Sequence, residues 1–109
     1  MKSTVVEIPF NEWSRERLRR GVKRATSRRK RYGDPGDMFR AVGRWWILTE
    51  VRRVTLREVR DRWWKAEGCE SPEEFEEVWA SIYPRRGFVP NQKVWIHFFE
   101  PVPTRGVRL

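Results

Sequence analysis

Two helix-start signatures stand close together in the second half of the chain, and they constrain its architecture more than any other feature. In Thr55-Leu56-Arg57-Glu58 a hydroxyl precedes a glutamate by three residues, the reciprocal capping box that satisfies two orphan backbone donors. Leu56, Val59 and Trp63 then fall on one helical face, and Gly68 is the expected stop. Ser71-Pro72-Glu73-Glu74 repeats the signature with proline at the first helical position. Phe75, Val78, Trp79 and Ile82 follow at i, i+3, i+4 and i+7, and Pro84 ends the run. A pair of amphipathic helices is therefore predicted between two aromatic, β-branched segments, Trp45 to Val54 and Lys93 to Phe99.

The N-terminal half reads differently. Thr4 to Ile8 is predicted as a short strand ended by Pro9. Asn11 caps a helix to Arg20, with Gly21 at its C-terminus. The apolar face of that helix is thin (Trp13 and Leu18), so it lies on the surface. Lys23 to Arg29 and Met38 to Val42 are predicted strands around the turn cluster Tyr32-Gly33-Asp34-Pro35-Gly36-Asp37. The order is strand, helix, three strands, two helices, strand. It fits an α+β fold: a small mixed β-barrel with a surface helix after the first strand and a two-helix insert before the last. An open α+β sandwich is the alternative. With 109 residues the expectation is one domain, 1–109, with its core at about 4–102.

Charge narrows the partner. Net charge is +9, yet Glu58 to Glu77 holds eight acids against three bases, a local net of −5. The positive charge is concentrated elsewhere: Arg15 to Arg31 carries ten Lys/Arg and one acid, Glu16. One basic face suits an anionic partner, nucleic acid first. One cysteine (Cys69) and one histidine (His97) exclude an intrachain disulfide and a Cys/His zinc site in a monomer, so no metal and no cofactor are expected. The expected compartment is the cytoplasm. No apolar run approaches the roughly 20 residues that span a bilayer, and Met1 to Glu7 lacks a signal-peptide pattern.

The basic stretch contains Gly21-Val22-Lys23-Arg24-Ala25-Thr26-Ser27-Arg28, which sets a turn glycine, a lysine and a hydroxyl at fixed spacing. Lys23 is a candidate phosphate contact, or a base if desolvated beside Arg24 and Arg28. In a regular strand positions 23 and 26 face opposite ways, so the two meet only if Lys23 sits on the turn after Gly21 or at a bulge.

This segment resembles the G-x-K-T-x-T-x-R motif of the ASCH domain family, within the PUA-like superfamily, with Arg24 where many members carry Thr. Three further pieces follow in order. Pro35-Gly36-Asp37 resembles the family's GD turn. Glu67-Gly68-Cys69-Glu70-Ser71-Pro72-Glu73-Glu74-Phe75 resembles its EGF-x-S-x-EEF junction. Ile82-Tyr83-Pro84 and Val94-Trp95-Ile96-His97-Phe98 resemble its closing strand.

The resemblance implies a PUA-like barrel with a cleft between the K-x-x-T segment and the helical insert. It implies binding of RNA or a modified nucleoside. Small single-domain members are amidohydrolases acting on N4-acetylcytidine. By position their catalytic Lys, Thr and Glu correspond to Lys23, Thr26 and Glu67. The expected nucleic-acid contacts are Arg15, Arg19, Arg20, Lys23, Arg24, Arg28, Arg29, Lys30, Arg31 and Tyr83. The expected function is RNA or nucleobase binding. Metal-free deacylation of an N4-acetylcytidine-type nucleoside is the alternative, and the oligomeric state stays open.

Overall fold

The computed structural model describes residues 4–103. Helix α1 (Glu12–Arg20) is followed by strands β1 (Ala25–Arg28), β2 (Met38–Ala41) and β3 (Arg44–Thr55), helices α2 (Leu56–Arg62) and α3 (Pro72–Ile82), and strand β4 (Lys93–Pro101). The strands form one curled half-barrel sheet in the order β1-β4-β3-β2. Every pairing within it is antiparallel.

The predicted N-cap residues are in place, but of the two predicted capping boxes only the first is fully reciprocal; at the second, Glu74 Oε1 accepts from the Glu70 N–H instead of from Ser71. Thr55 and Glu58 form the reciprocal box at the start of α2. The Ser71 hydroxyl accepts from the Glu74 N–H at the start of α3. Asn11 caps α1, and Gly21 closes it in the left-handed conformation. Leu18 is the one fully buried side chain of α1, worth about 1.5–3 kcal/mol of apolar burial. Trp13 to Arg17 are partly buried, and only Glu12, Arg19 and Arg20 are exposed, in keeping with the thin apolar face.

Four boundaries differ from the sequence expectations. The first strand reduces to a single parallel bridge, Val5 with Met38. Pro9 has no N–H to extend the pairing, so the parallel part of the expected mixed sheet is that bridge alone. The strand expected from Lys23 begins at Ala25, because the Arg24 and Ala25 N–H groups both donate to Ala66 O rather than to a strand partner. Helix α2 stops at Arg62, and residues 63–68 continue as turns. Finally, β4 runs past Phe99 to Pro101, paired with β3 around a bulge between Leu48 and Glu50.

The sheet is covered on both faces, which explains why β4 does not alternate. One face packs Ala25, Val54, Val94 and Ile96 against Leu56, Val59, Phe75 and Trp79 of α2 and α3. The other buries Phe39, Trp46, Leu48 and Phe99 with Ile8, Phe10 and Leu18. Strand β1 lies at the sheet edge, next to the turn that follows α2, and the candidate site forms there.

Candidate functional site

Lys23 lies in the short segment between the Gly21 turn and β1, off the strand itself. It is only 2% exposed, and Glu67, brought beside it by the 63–68 turns, is 5% exposed. The Lys23 ammonium donates to the Glu67 backbone O at 2.9 Å and to Glu67 Oε1 at 3.2 Å. The other carboxylate oxygen, Oε2, accepts from the Ser27 hydroxyl at 2.6 Å. A buried charge is tolerated only when paired and hydrogen-bonded, and each member here meets that condition. Burial pushes the Lys23 ammonium below its ordinary range, with the Glu67 charge opposing the shift. Ser27 is not among the expected site residues. Nothing local marks it; its partner is 40 positions away in sequence.

The turn brings the pair together through Gly68. This glycine has φ +98°, and a Cβ there would sit 3.2 Å from the Lys23 Cβ and 3.3 Å from the Arg17 Cδ. Arg17 donates to Gly68 O at 3.1 Å, reaches Glu74 at 3.6 Å and lies over the Trp13 ring. It therefore ties α1 to the turn and to α3.

Thr26 lies on the opposite face of β1 from Ser27. Its hydroxyl accepts from Arg28 Nε at 3.1 Å, and no hydrogen bond joins it to Lys23 among the described residues. Arg28 also donates to Pro9 O at 2.7 Å and stacks near Phe10. Next to Thr26 in the sheet, His97 is fully buried. Its Nε2 accepts from the Tyr32 N–H at 3.0 Å, so Nδ1 carries the proton and donates to Thr26 O at 3.2 Å. This is a neutral histidine holding β1 in place.

Burial lowers the His97 pKa from its ordinary value. The unfolded chain therefore binds the extra proton first as pH falls, and stability present above about pH 6.5 is lost below it. Urea unfolding at a series of pH values should show that loss, and His97→Gln should flatten it. A slope unchanged in the variant would mean that another group is responsible.

A pocket of about 190 Å³ opens beside this cluster. Its polar wall comprises Lys23, Thr26, Ser27, Arg28 and Glu67, and its apolar wall includes Trp13, Phe75, Trp79 and Tyr83. Lys23 and Thr26, on different sides of the β1 edge, thus line one cavity without touching. Among the described buried side chains, Trp79 Nε1 alone lacks a hydrogen-bond partner. Cys69 also lines the pocket, but burial, helped by Glu67, pushes its thiol up to about 12. It is therefore a poor nucleophile at neutral pH.

The expected nucleic-acid contacts separate into two groups. On α1, Arg15 and Arg19 pair with Glu12, and Arg20 pairs with Glu16. Arg31 pairs with Asp34 at 2.6 Å. Exposed Arg24, Arg29 and Lys30 have no carboxylate within 4 Å among the described residues. The Arg29 guanidinium instead lies 4.7 Å from the Tyr83 ring centroid, and Lys30 lies over Tyr32. Tyr83 itself packs against Trp79 at 4.8 Å.

No protein-family model and no curated protein matches the chain. Solved structures do. An ASCH domain from Lactobacillus crispatus JV V101 superposes with a TM-score of 0.72 at 13% identity, over 90% of this chain and 79% of that one. The hypothetical protein PH0355 superposes with a TM-score of 0.68 at 19% identity, over 91% of this chain and 100% of that one. Protein EF3133 from Enterococcus faecalis V583 gives a TM-score of 0.58 at 20% identity, over 94% and 77%. At these identities the likeness concerns the fold, and it agrees with the antiparallel half-barrel and its helical insert. The chain has the fold of an ASCH domain, a small α+β half-barrel.

Proposed function

We propose that the pocket beside β1 receives a nucleobase, as part of RNA or of a modified nucleoside. One observation carries this reading: a buried Lys23–Glu67–Ser27 network lies at the wall of a small pocket whose other side is aromatic. A heterocycle needs both. Its edge exchanges hydrogen bonds with charged and hydroxyl groups, while its faces pack on rings. Arg24, Arg29 and Lys30 are the exposed cations with no carboxylate within 4 Å among the described residues; on α1, Arg15 and Arg19 share Glu12, and Arg17 and Arg20 share Glu16.

A second reading is favoured by the depressed Lys23 pKa. In metal-free deacylation of an N4-acetylcytidine-type nucleoside, the Thr26 hydroxyl would attack the acyl carbonyl while Lys23 takes its proton and passes it to the N4 amine as the C–N bond breaks, and water would then hydrolyse the acyl-Thr26 ester to acetate. Glu67 would orient Lys23. The hydrogen bond from Arg28 holds Thr26 away from that role in the unliganded geometry, so ligand entry would have to redirect it.

Titration of a labelled single-stranded RNA at two salt concentrations, with Lys23→Met as control, tests the first reading. Three backbone cations predict a log–log salt slope of about −2 and weaker binding in the variant. A flat salt response with unchanged variant affinity would overturn it. Incubation with N4-acetylcytidine separates the second reading: release of cytidine, abolished by Lys23→Met and by Thr26→Val, is its required result.

A further inference from the structure

We propose that Arg29 is a phosphate-binding residue at the mouth of the pocket, so that the ligand preferred here is a nucleotide rather than a free nucleoside. The inference rests on the nucleobase reading of the pocket and adds a specificity to it.

Inside the pocket no cation is available for a phosphate. The Lys23 charge is matched by Glu67, and Arg28 is committed to Pro9 O and the Thr26 hydroxyl. The cavity, at about 190 Å³, is below the few hundred cubic ångströms typical of sites for larger ligands. It holds a heterocyclic ring and leaves a sugar and its phosphate outside. Tyr83, a partly exposed pocket-wall residue, packs on Trp79 and carries the Arg29 guanidinium over its ring.

With its Cζ 4.7 Å from the Tyr83 ring centroid and no carboxylate within 4 Å among the described residues, Arg29 keeps its N–H groups for a ligand, and a guanidinium suits bidentate recognition of phosphate oxygens. Its neighbours sharpen the contrast. Arg31, two residues on, is paired with Asp34; on α1, Arg15 and Arg19 share the Glu12 carboxylate, and Arg20 shares that of Glu16 with Arg17. Arg29 has no such partner among the described residues, and its ordering comes from an aromatic ring of the pocket itself. A charge-assisted contact of this kind is worth about tenfold in affinity.

The test is a matched panel: the four common ribonucleosides and N4-acetylcytidine, each with its 5′-monophosphate, and a short single-stranded RNA. Inorganic phosphate serves as competitor. Binding is measured by calorimetry at low salt for the wild type, Arg29→Ala and Arg29→Lys. The expected result is that for the best-bound base the monophosphate binds about tenfold more tightly than the nucleoside. Arg29→Ala brings the two affinities together, and Arg29→Lys restores part of the difference.

Equal affinity for nucleoside and monophosphate in the wild type overturns the proposal, as does a ratio that survives Arg29→Ala. So does competition by inorganic phosphate alone at comparable affinity, which would indicate a simple anion site. A difference seen for RNA as well as monophosphates places the phosphate in a chain; one confined to monophosphates places it on a free nucleotide. If no nucleoside, monophosphate or RNA binds, the nucleobase reading fails, and this inference fails with it. Nucleosides that bind without a phosphate preference leave that reading standing and remove only this one.

Discussion

Glu67→Ala is expected to destabilise the fold by about 3–5 kcal/mol, the usual cost of removing one partner from a buried ion pair. The substitution leaves the Lys23 ammonium at 2% exposure with only the backbone oxygen of residue 67, and it removes the acceptor of the Ser27 hydroxyl. Desolvation then acts on Lys23 unopposed and drives its pKa lower still, so part of the loss is the cost of shedding its proton. The paired change Lys23→Met/Glu67→Leu should recover most of the stability, because no uncompensated charge remains. It should not recover ligand binding. Urea unfolding at neutral pH reads the first effect, and RNA titration reads the second. A loss below about 1 kcal/mol for Glu67→Ala would mean that the pair is in contact with water, as exposed pairs are.

Gly68→Ala should cost roughly 2–3 kcal/mol, for two reasons that add. At φ +98° an L side chain is strained. The new Cβ would also press on the Lys23 Cβ at 3.2 Å and on two carbons of Arg17. Neither neighbour yields freely, since Lys23 is held by Glu67 and Arg17 by the Gly68 carbonyl and Glu74. Gly21 provides the comparison. It has φ +77°, and a Cβ there would meet nothing within 4 Å, so Gly21→Ala carries only the conformational part, about 1–2 kcal/mol. Thermal unfolding of the two variants side by side isolates the close approach. Equal losses would show that packing around Gly68 contributes nothing.

Much of this architecture is readable locally. N-cap contacts depend on residues three apart, and both N-caps are legible at Thr55 and Ser71, although only the first completes the reciprocal box. The left-handed stop at Gly21 and the thin apolar face of α1 are equally local. The resemblance to ASCH domains leads to Lys23, Thr26 and Glu67, all of which line the pocket.

What stays hidden depends on contacts between distant segments. Ser27 looks like an ordinary strand residue until the 63–68 turns deliver a carboxylate to it. The late start of β1 follows from Ala66 O capturing two N–H groups ahead of the strand, a bond no periodicity signals. Charge density along Arg15 to Arg31 likewise holds no hint that Glu12 and Glu16 occupy the α1 arginines while Arg29 leans on Tyr83.

The most direct test of a nucleobase pocket beside β1 is to locate the ligand on the protein. An isotope-labelled sample titrated with a short single-stranded RNA, and separately with N4-acetylcytidine, would be followed through its amide and indole N–H resonances. A ligand seated in the pocket should shift the Trp79 indole signal and the amides of Ser27, Glu67 and Tyr83 together, saturating with one affinity. Shifts confined to α1 or to the β2–β3 hairpin, with the Trp79 indole unmoved, would contradict it.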